Sequence, residues 1–159
     1  MPLEIKRLGS DEQSLAEETI RNLKLIDSAR GQLEFSYLRS FLAKRENFLI
    51  VALDEDRPIG FLIAYLMDRV DRDQRMMLLY EISVDSNHRR KQAAKGMVRL
   101  LKKLCHDLDV MKMWVYTNQS NQPAVNLYRS CGGEAATSGD EVSFTFWPPY
   151  EDRLTPPNS

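Results

Sequence analysis

The sequence predicts a single mixed α/β domain in which a β-hairpin leads into a β-α-β unit. Three observations carry that prediction. Residues 47–68, NFLIVALDEDRPIGFLIAYLMD, place two apolar, β-prone runs around a charged turn. A third apolar run, MMLLYEISV at 76–84, is followed by an amphipathic segment at 93–108. That segment leads at once into another apolar run, VMKMWVYT, at 110–117. A strand, a helix and a strand in immediate succession form a crossover, which favours parallel neighbours.

The bulk properties agree with one domain. The chain has 159 residues, 43% of them hydrophobic and 28% charged, enough for one full core. The domain is placed over residues 1–153, with a flexible tail at 154–159, where the sequence is proline-rich and polar. A formal net charge of −1 provides no overall field to attract nucleic acid or an anionic membrane. No apolar run approaches the roughly 20 residues that span a bilayer, and MPLEIKRLGSDEQ lacks the basic-then-apolar plan of a signal peptide. These features predict a cytoplasmic protein. Cys105 and Cys131 form neither a disulfide framework nor, with His88 and His106, a metal-ligand pattern, so both thiols read as structural and no metal is expected.

Taken in order, LEIKRL reads as a first strand. Ser10 or Asp11 is placed to cap a helix running to about Ile26, and DSARGQ is a loop. EFSYLRSFLAK forms a second helix through Phe35, Leu38 and Leu42. In the hairpin, Gly60 lies near the start of the second strand. The apolar density of MMLLYEISV predicts burial on both faces and a central place in the sheet. In the helix at 93–108, Met97, Leu101, Leu104, Cys105 and Leu108 fall on one stripe, with Lys95, Arg99, Lys102 and Lys103 elsewhere. SNQPAVNLYRSCGG is a short helix capped by Asn121, with Pro123 in its first turn and Gly132 and Gly133 ending it. EVSFTFW is read as a last strand from the alternation of Val142, Phe144 and Phe146.

The chemistry centres on the turn before the long helix. The first N–H groups of a helix lack internal partners, and the helix dipole adds positive potential there. Arg89, Arg90 and Lys91 lie in this turn, with Lys95 one turn on. From Asp85 to Lys103 there are seven Lys or Arg against one acid. Such a cluster is either a solvated face or an anion site. Its concentration where cations oppose the dipole favours the second.

HRRKQAAKGM, between this strand and helix, resembles the acyl-CoA signature R/Q-x-x-G-x-G/A of the GNAT superfamily of N-acetyltransferases. Arg89 takes the first position, Gln92 stands where the first glycine belongs, and Ala94 is last. NQPAVNLYRSCGG is similar to the following family motif, N-x-x-A-x-x-L-Y-x-x-x-G. Within the superfamily the likeness is strongest to aminoglycoside 3-N-acetyltransferases, through SYLRSFLAKRENFLIVAL, PIGFLIAY, YEISV and PAVNLY.

The resemblance implies a GNAT-like mixed, mostly antiparallel sheet with a central parallel β-α-β unit and helices on both faces. It also implies an acetyl-CoA cosubstrate in a splayed gap between YEISV and MKMWVYT. Backbone groups of Ile82, Ser83 and Val84 would hold the pantetheine arm, and an N–H near Ile82 would polarise the thioester carbonyl. The N–H groups of Lys91, Gln92, Ala93, Ala94 and Lys95, assisted by Arg89 and Arg90, would take the pyrophosphate. Asn121 and Ala124, in the second motif, would contact the cofactor, and Tyr128 would protonate the departing thiolate.

The residues themselves leave alternatives open. Tyr128 also fits simple packing, and Asn121 is a helix cap in either case. Glu81, an acid within an apolar strand, is either the base that receives the amine proton or half of a salt bridge. Glu134 to Asp152 holds five acids and no Lys or Arg, and Asp68, Asp71 and Asp73 lie beside three arginines, a distribution that suits a cationic amine. The aromatics of FTFWPPY fit packing, an acceptor wall or a homodimer contact. Gln92 is expected to start the helix with ordinary dihedrals, and KQAAKG to extend it by part of a turn. Two readings follow: an N-acetyltransferase of a small cationic amine such as an aminoglycoside, or a lapsed domain that binds or regulates without turnover. A protein Nα- or lysine acetyltransferase differs from the first only in its acceptor.

Overall fold

A computed structural model describes residues 2–23, 35–135, 144 and 146–151, and for Arg89, Arg90 and Lys91 the backbone alone. Five strands form one sheet in the order β1-β2-β3-β4-β5. β1 (Glu4–Arg7), β2 (Asn47–Asp54), β3 (Arg57–Met67) and β4 (Met76–Val84) pair antiparallel in succession, and β5 (Lys112–Trp114) joins β4 in parallel. The mixed, mostly antiparallel sheet and its parallel crossover are therefore as expected.

Helices cover both faces because β2 is buried without a break from Phe48 to Leu53 and β3 from Pro58 to Leu62. Phe48, Ile50 and Ala52 of β2 pack with Leu62 and Ala64 of β3 against Met97, Val98 and Leu101 of α3 (Ala93–Asp107). The alternate residues Leu49, Val51 and Leu53 face the other way, with Phe61, toward Ala16 of α1 (Gln13–Asn22) and Leu38 and Leu42 of α2 (Ser36–Ala43). The period-two alternation of a strand thus divides one apolar run between two cores. The Glu55–Asp56 turn between β2 and β3 has both residues at positive φ, 49° and 66°, the geometry that matches hairpin twist.

Four expectations about the elements are corrected. Ser10 and Asp11 do not cap an α-helix: Ser10–Glu12 is a 3-10 turn, and α1 follows from Gln13. The turn is held by the Glu12 carboxylate, which accepts the Gly9 N–H at 3.3 Å and pairs with Lys6 at 2.7 Å. The expected end of that helix at Ile26 and the loop DSARGQ lie outside the described residues. Second, β4 is not buried on both faces. Met77 and Leu79 are buried, but Tyr80, Glu81 and Ser83 are exposed, and the doubly buried strands are β2 and β3. Third, β5 spans three residues rather than eight. Fourth, of EVSFTFW only Phe144, Phe146 and Trp147 are described, and they are exposed and outside any strand.

The short helix α4 (Gln122–Ser130) has the expected ends. The Asn121 carboxamide oxygen accepts the Ala124 N–H at 3.3 Å, and Pro123 occupies the first turn. At the other end Gly132, with φ 88°, donates to Arg129 O at 3.0 Å, and Gly133 donates to Tyr128 O at 2.9 Å, a Schellman closure.

Candidate active site

The site begins with a defect in β4. Ile63 pairs with Glu81, whereas Ala64 pairs with Leu79, so Tyr80 is an extra residue, a β-bulge. Its effect on side-chain phase is visible in the cores. Met77 and Leu79 point to the α3 side before the bulge, and Ile82 and Val84 do so after it. Odd positions give way to even ones. Glu81 and Ser83 are thereby turned away from α3, and Glu81 emerges on the same face as Tyr80.

Beside the bulge the sheet opens. Parallel pairing of β4 with β5 ends at Leu78–Trp114, so Ile82, Ser83 and Val84 have no described strand neighbour on the β5 side. A bulge bends its strand and increases the local twist, which is the physical reason β5 cannot follow β4 further. Gly60 holds the end of β4 in place. A Cβ there would lie 3.1 Å from Ser83 O and 3.1 Å from Met97 Cε, so only glycine lets β3 fit between β4 and α3 without displacement.

Glu81 is the acid predicted for this strand, and the salt-bridge alternative is not what the structure shows. Among the described residues Glu81 has no ion pair, and desolvation alone raises its carboxyl above the ordinary value of 4.5. Tyr128 lies on the α3 side, half-buried and packed on the core that includes Ile82 and Val84. Burial likewise pushes its phenol above 10, which keeps the hydroxyl protonated at neutral pH. Glu81 and Tyr128 therefore lie on opposite faces of the sheet. Lys102 fixes α4 against α3 by donating to Cys131 O at 2.6 Å.

The basic turn is a 3-10 helix over Ser86–Lys91, followed by Gln92 in the left-handed region with φ 65° and ψ 17°. This overturns the expectation of ordinary helical dihedrals. Gln92 adopts the backbone that a glycine adopts freely, and its side chain is exposed. Nor does the helix lengthen: α3 starts at Ala93, Lys91 lies outside it, and the first bond onto the Gln92 carbonyl comes from Gly96 at 3.0 Å. The N–H groups of Ala93, Ala94 and Lys95 consequently have no acceptor one turn back in the helix. Ala93 is itself fully buried in the core, which anchors the turn from beneath. The side chains of Arg89, Arg90 and Lys91 lie outside what the structure describes.

Sequence reasoning missed the clasp on this turn. Asp85 caps the 3-10 helix, taking the Asn87 N–H at 3.4 Å and bonding His88 Nδ1 at 2.9 Å. His88 Nε2 also lies 3.9 Å from Asp54 at the end of β2. The contact with His88, together with the Asn87 N–H, holds the Asp85 carboxyl below the ordinary range. The hydrogen-bond spacing of Asp85 and His88 was a legible signal, whereas Asp54 comes from a distant strand. Also missed were Tyr65 and Tyr80, whose rings meet edge to face at 5.7 Å, and Phe41, whose ring meets Tyr65 at 6.1 Å.

Of the two acidic regions, the structure describes the first in full and the second in part. Asp71 is neutralised by Arg69, with two contacts of 2.7 Å, and most of 134–152 lies outside the described residues. Among the described residues no group of His, Cys, Asp or Glu is placed to hold a metal ion, and no helix is long and apolar enough to cross a membrane. Cys105 and Cys131 are free and buried, and burial pushes the Cys105 thiol up to about 11, which makes it a poor nucleophile.

A parallel strand pair that stops halfway along β4, with a left-handed turn leading into a helix N-terminus at its end, is the architecture expected of an acyl-CoA-dependent acetyltransferase. Residues 14–133 match the acetyltransferase (GNAT) family, and the chain belongs to that family. Human N-acetyltransferase 8 is 29% identical over 94 residues, which are 59% of this chain and 41% of that protein. Human N-acetyltransferase 8B is 27% identical over the same shares, so the match spans about two-fifths of the length of these relatives. An aminoglycoside acetyltransferase from an uncultured soil metagenomic sample, solved with trehalose, superposes with TM-score 0.80 at 19% identity, covering 91% of this chain and 97% of that one. A ribosomal-protein-alanine N-acetyltransferase from Brucella melitensis biovar Abortus 2308 superposes with TM-score 0.68 at 18% identity, covering 91% and 100%. At these identities the likeness is one of fold.

Proposed function

We propose that this domain transfers the acetyl group of acetyl-CoA to a primary amine of a small cationic acceptor by direct attack in a ternary complex. The observation that carries the reading is Glu81: a carboxylate with no ion pair among the described residues, on the half of β4 beyond its pairing with β5, turned by a bulge toward solvent. The residues fit the cosubstrate. Gln92 keeps the glycine-like backbone of the turn, the first three N–H groups of α3 have no acceptor within the helix, and among the described residues no strand pairs with 82–84 on the β5 side.

Acetyl-CoA supplies a thioester already activated toward amines; the chain supplies position and proton transfer. N–H groups of Gln92, Ala93, Ala94 and Lys95, with Lys91, Arg89 and Arg90, would hold the pyrophosphate. Backbone groups of Ile82, Ser83 and Val84 hold the pantetheine arm, with an N–H near Ile82 on the carbonyl oxygen. Asn121 and Ala124 support the cofactor from the start of α4. Glu81 accepts the proton lost by the amine as the new C–N bond forms, directly or through one water. Tyr128 donates a proton to the thiolate released when the C–S bond breaks. An aminoglycoside is one acceptor of this class, in keeping with the fold of the soil metagenomic enzymes.

The test is calorimetric titration with acetyl-CoA, followed by a thiol-release assay over a panel of primary amines and aminoglycosides. Saturable binding with Kd between about 1 μM and 1 mM and amine-dependent thiol release support the proposal. Binding without release for any amine favours the lapsed, regulatory reading. No binding at millimolar acetyl-CoA refutes the proposal.

A further inference from the structure

The strongest feature outside the proposed chemistry is an aromatic wall next to Glu81. Tyr80 of β4 is 63% exposed, yet its ring is fixed by an edge-to-face contact with Tyr65 of β3 at 5.7 Å and 72°. Tyr65 is in turn fixed by Phe41 of α2 at 6.1 Å and 83°. Three rings from three elements thus brace one another, and the outermost keeps much of its surface open. The bulge places Glu81 immediately beside Tyr80 on this face.

Tyr65 lies near enough to both Tyr80 and Glu81 to feel their charges. Desolvation is the main reason that the Tyr65 hydroxyl lies above its ordinary value, and the charges of Tyr80 and Glu81 add to it. A carboxylate with no cation paired to it among the described residues, set against open tyrosine surface, is complementary to an ammonium group: the carboxylate attracts its charge, and a ring face attracts it through the aromatic quadrupole. The wall itself is apolar. It suits a carrier that lays a ring, aryl or sugar, against Tyr80, better than a flexible chain that must be ordered on binding.

We infer that Tyr80, buttressed by Tyr65 and Phe41, is a specificity-determining residue of the acceptor site, which selects primary amines carried on a ring that stacks on Tyr80 while the ammonium meets Glu81. This rests on the acetyl-transfer reading for its biological meaning, and the test separates the two by reading amine binding in the presence of CoA, with no acetyl group to transfer.

Calorimetric titrations are made with phenethylamine, glucosamine and n-hexylamine against the wild type, Tyr80→Ala and Tyr80→Phe, each saturated with CoA. The expected result is about tenfold tighter binding of at least one ring-bearing amine than of hexylamine. Tyr80→Ala abolishes that preference and Tyr80→Phe retains it. Preference for phenethylamine alone identifies an aryl carrier, and preference for glucosamine alone a sugar. Equal binding of all three by the wild type, no binding of any, or a preference that survives Tyr80→Ala overturns the inference. Thiol release with acetyl-CoA is measured separately, so a ring preference without turnover counts against the acetyl-transfer reading and leaves the specificity assignment standing. Tyr80 is largely exposed, and thermal unfolding of both variants within a few degrees of the wild type confirms that the site is intact.

Discussion

Replacing Gln92 by glycine removes a side chain that is exposed and makes no cap hydrogen bond, so the change acts almost wholly through the backbone. At φ 65° and ψ 17°, Gln92 holds a conformation that costs an L-residue about 1–2 kcal/mol and glycine almost nothing. Glycine loses more freedom on folding, about 0.5–1 kcal/mol, which offsets part of the gain. The net expectation is stabilisation by roughly 0.5–1 kcal/mol, a rise in Tm of about 1–4 °C for a chain of this length. Urea and thermal unfolding followed by circular dichroism measure it, with Gln92→Ala as the control. Alanine removes the same side chain but keeps the Cβ, so it should give no such gain. If Gln92→Gly were destabilising by about 1 kcal/mol, as glycine is inside a helix, the left-handed assignment of this residue and the account of the turn built on it would be wrong.

Asp109, at φ 51°, ends α3 in the same way, with its N–H on His106 O at 3.2 Å and the Val110 N–H on Cys105 O at 2.9 Å. Asp109→Gly is expected to stabilise the fold by about 0.5–1 kcal/mol in the same unfolding assay. Lys102→Met removes the donor to Cys131 O and should lower Tm by about 2–4 °C, corresponding to about 1 kcal/mol, with a fall in kcat as α4 and Tyr128 lose their anchor. For Glu81, desolvation favours the protonated form of the folded state. Its contribution to stability is therefore greatest at acid pH and is lost as pH rises through its raised pKa. At pH 7, Glu81→Gln should melt at or above the wild-type temperature while thiol release falls by about 10²–10⁴-fold. The wild-type kcat/KM should decline on the acid side at a pH above 4.5, the limb that Glu81→Gln lacks. A melting temperature well below that of the wild type would show that Glu81 is structural.

Local physics made much of this protein legible in its sequence. Continuous apolar, β-prone runs marked the hairpin and β4, a stripe with helical spacing marked α3, and Asn121, Pro123 and Gly132 marked both ends of α4, because caps, runs and periodicities depend on residues a few positions apart. The family motifs likewise named the turn and Tyr128. Tertiary pairing decided the rest. The Tyr80 bulge exists only as a mismatch between β3 and β4, and without it the side-chain phase after Leu79, and hence the face carrying Glu81, would be reversed. MMLLYEISV is apolar enough for burial on both faces, but the short β5 leaves its second half uncovered. Gln92 is a good helix former that takes the left-handed conformation because the 3-10 turn, the Asp85–His88 clasp and the buried Ala93 dictate how the chain must enter α3. Local propensity is worth tenths of a kcal/mol per residue, and the burial of Ala93 and Met97 with the pairing of β4 outweighs it. The aromatic wall joins Phe41, Tyr65 and Tyr80 from three elements, so no spacing along the chain could show it.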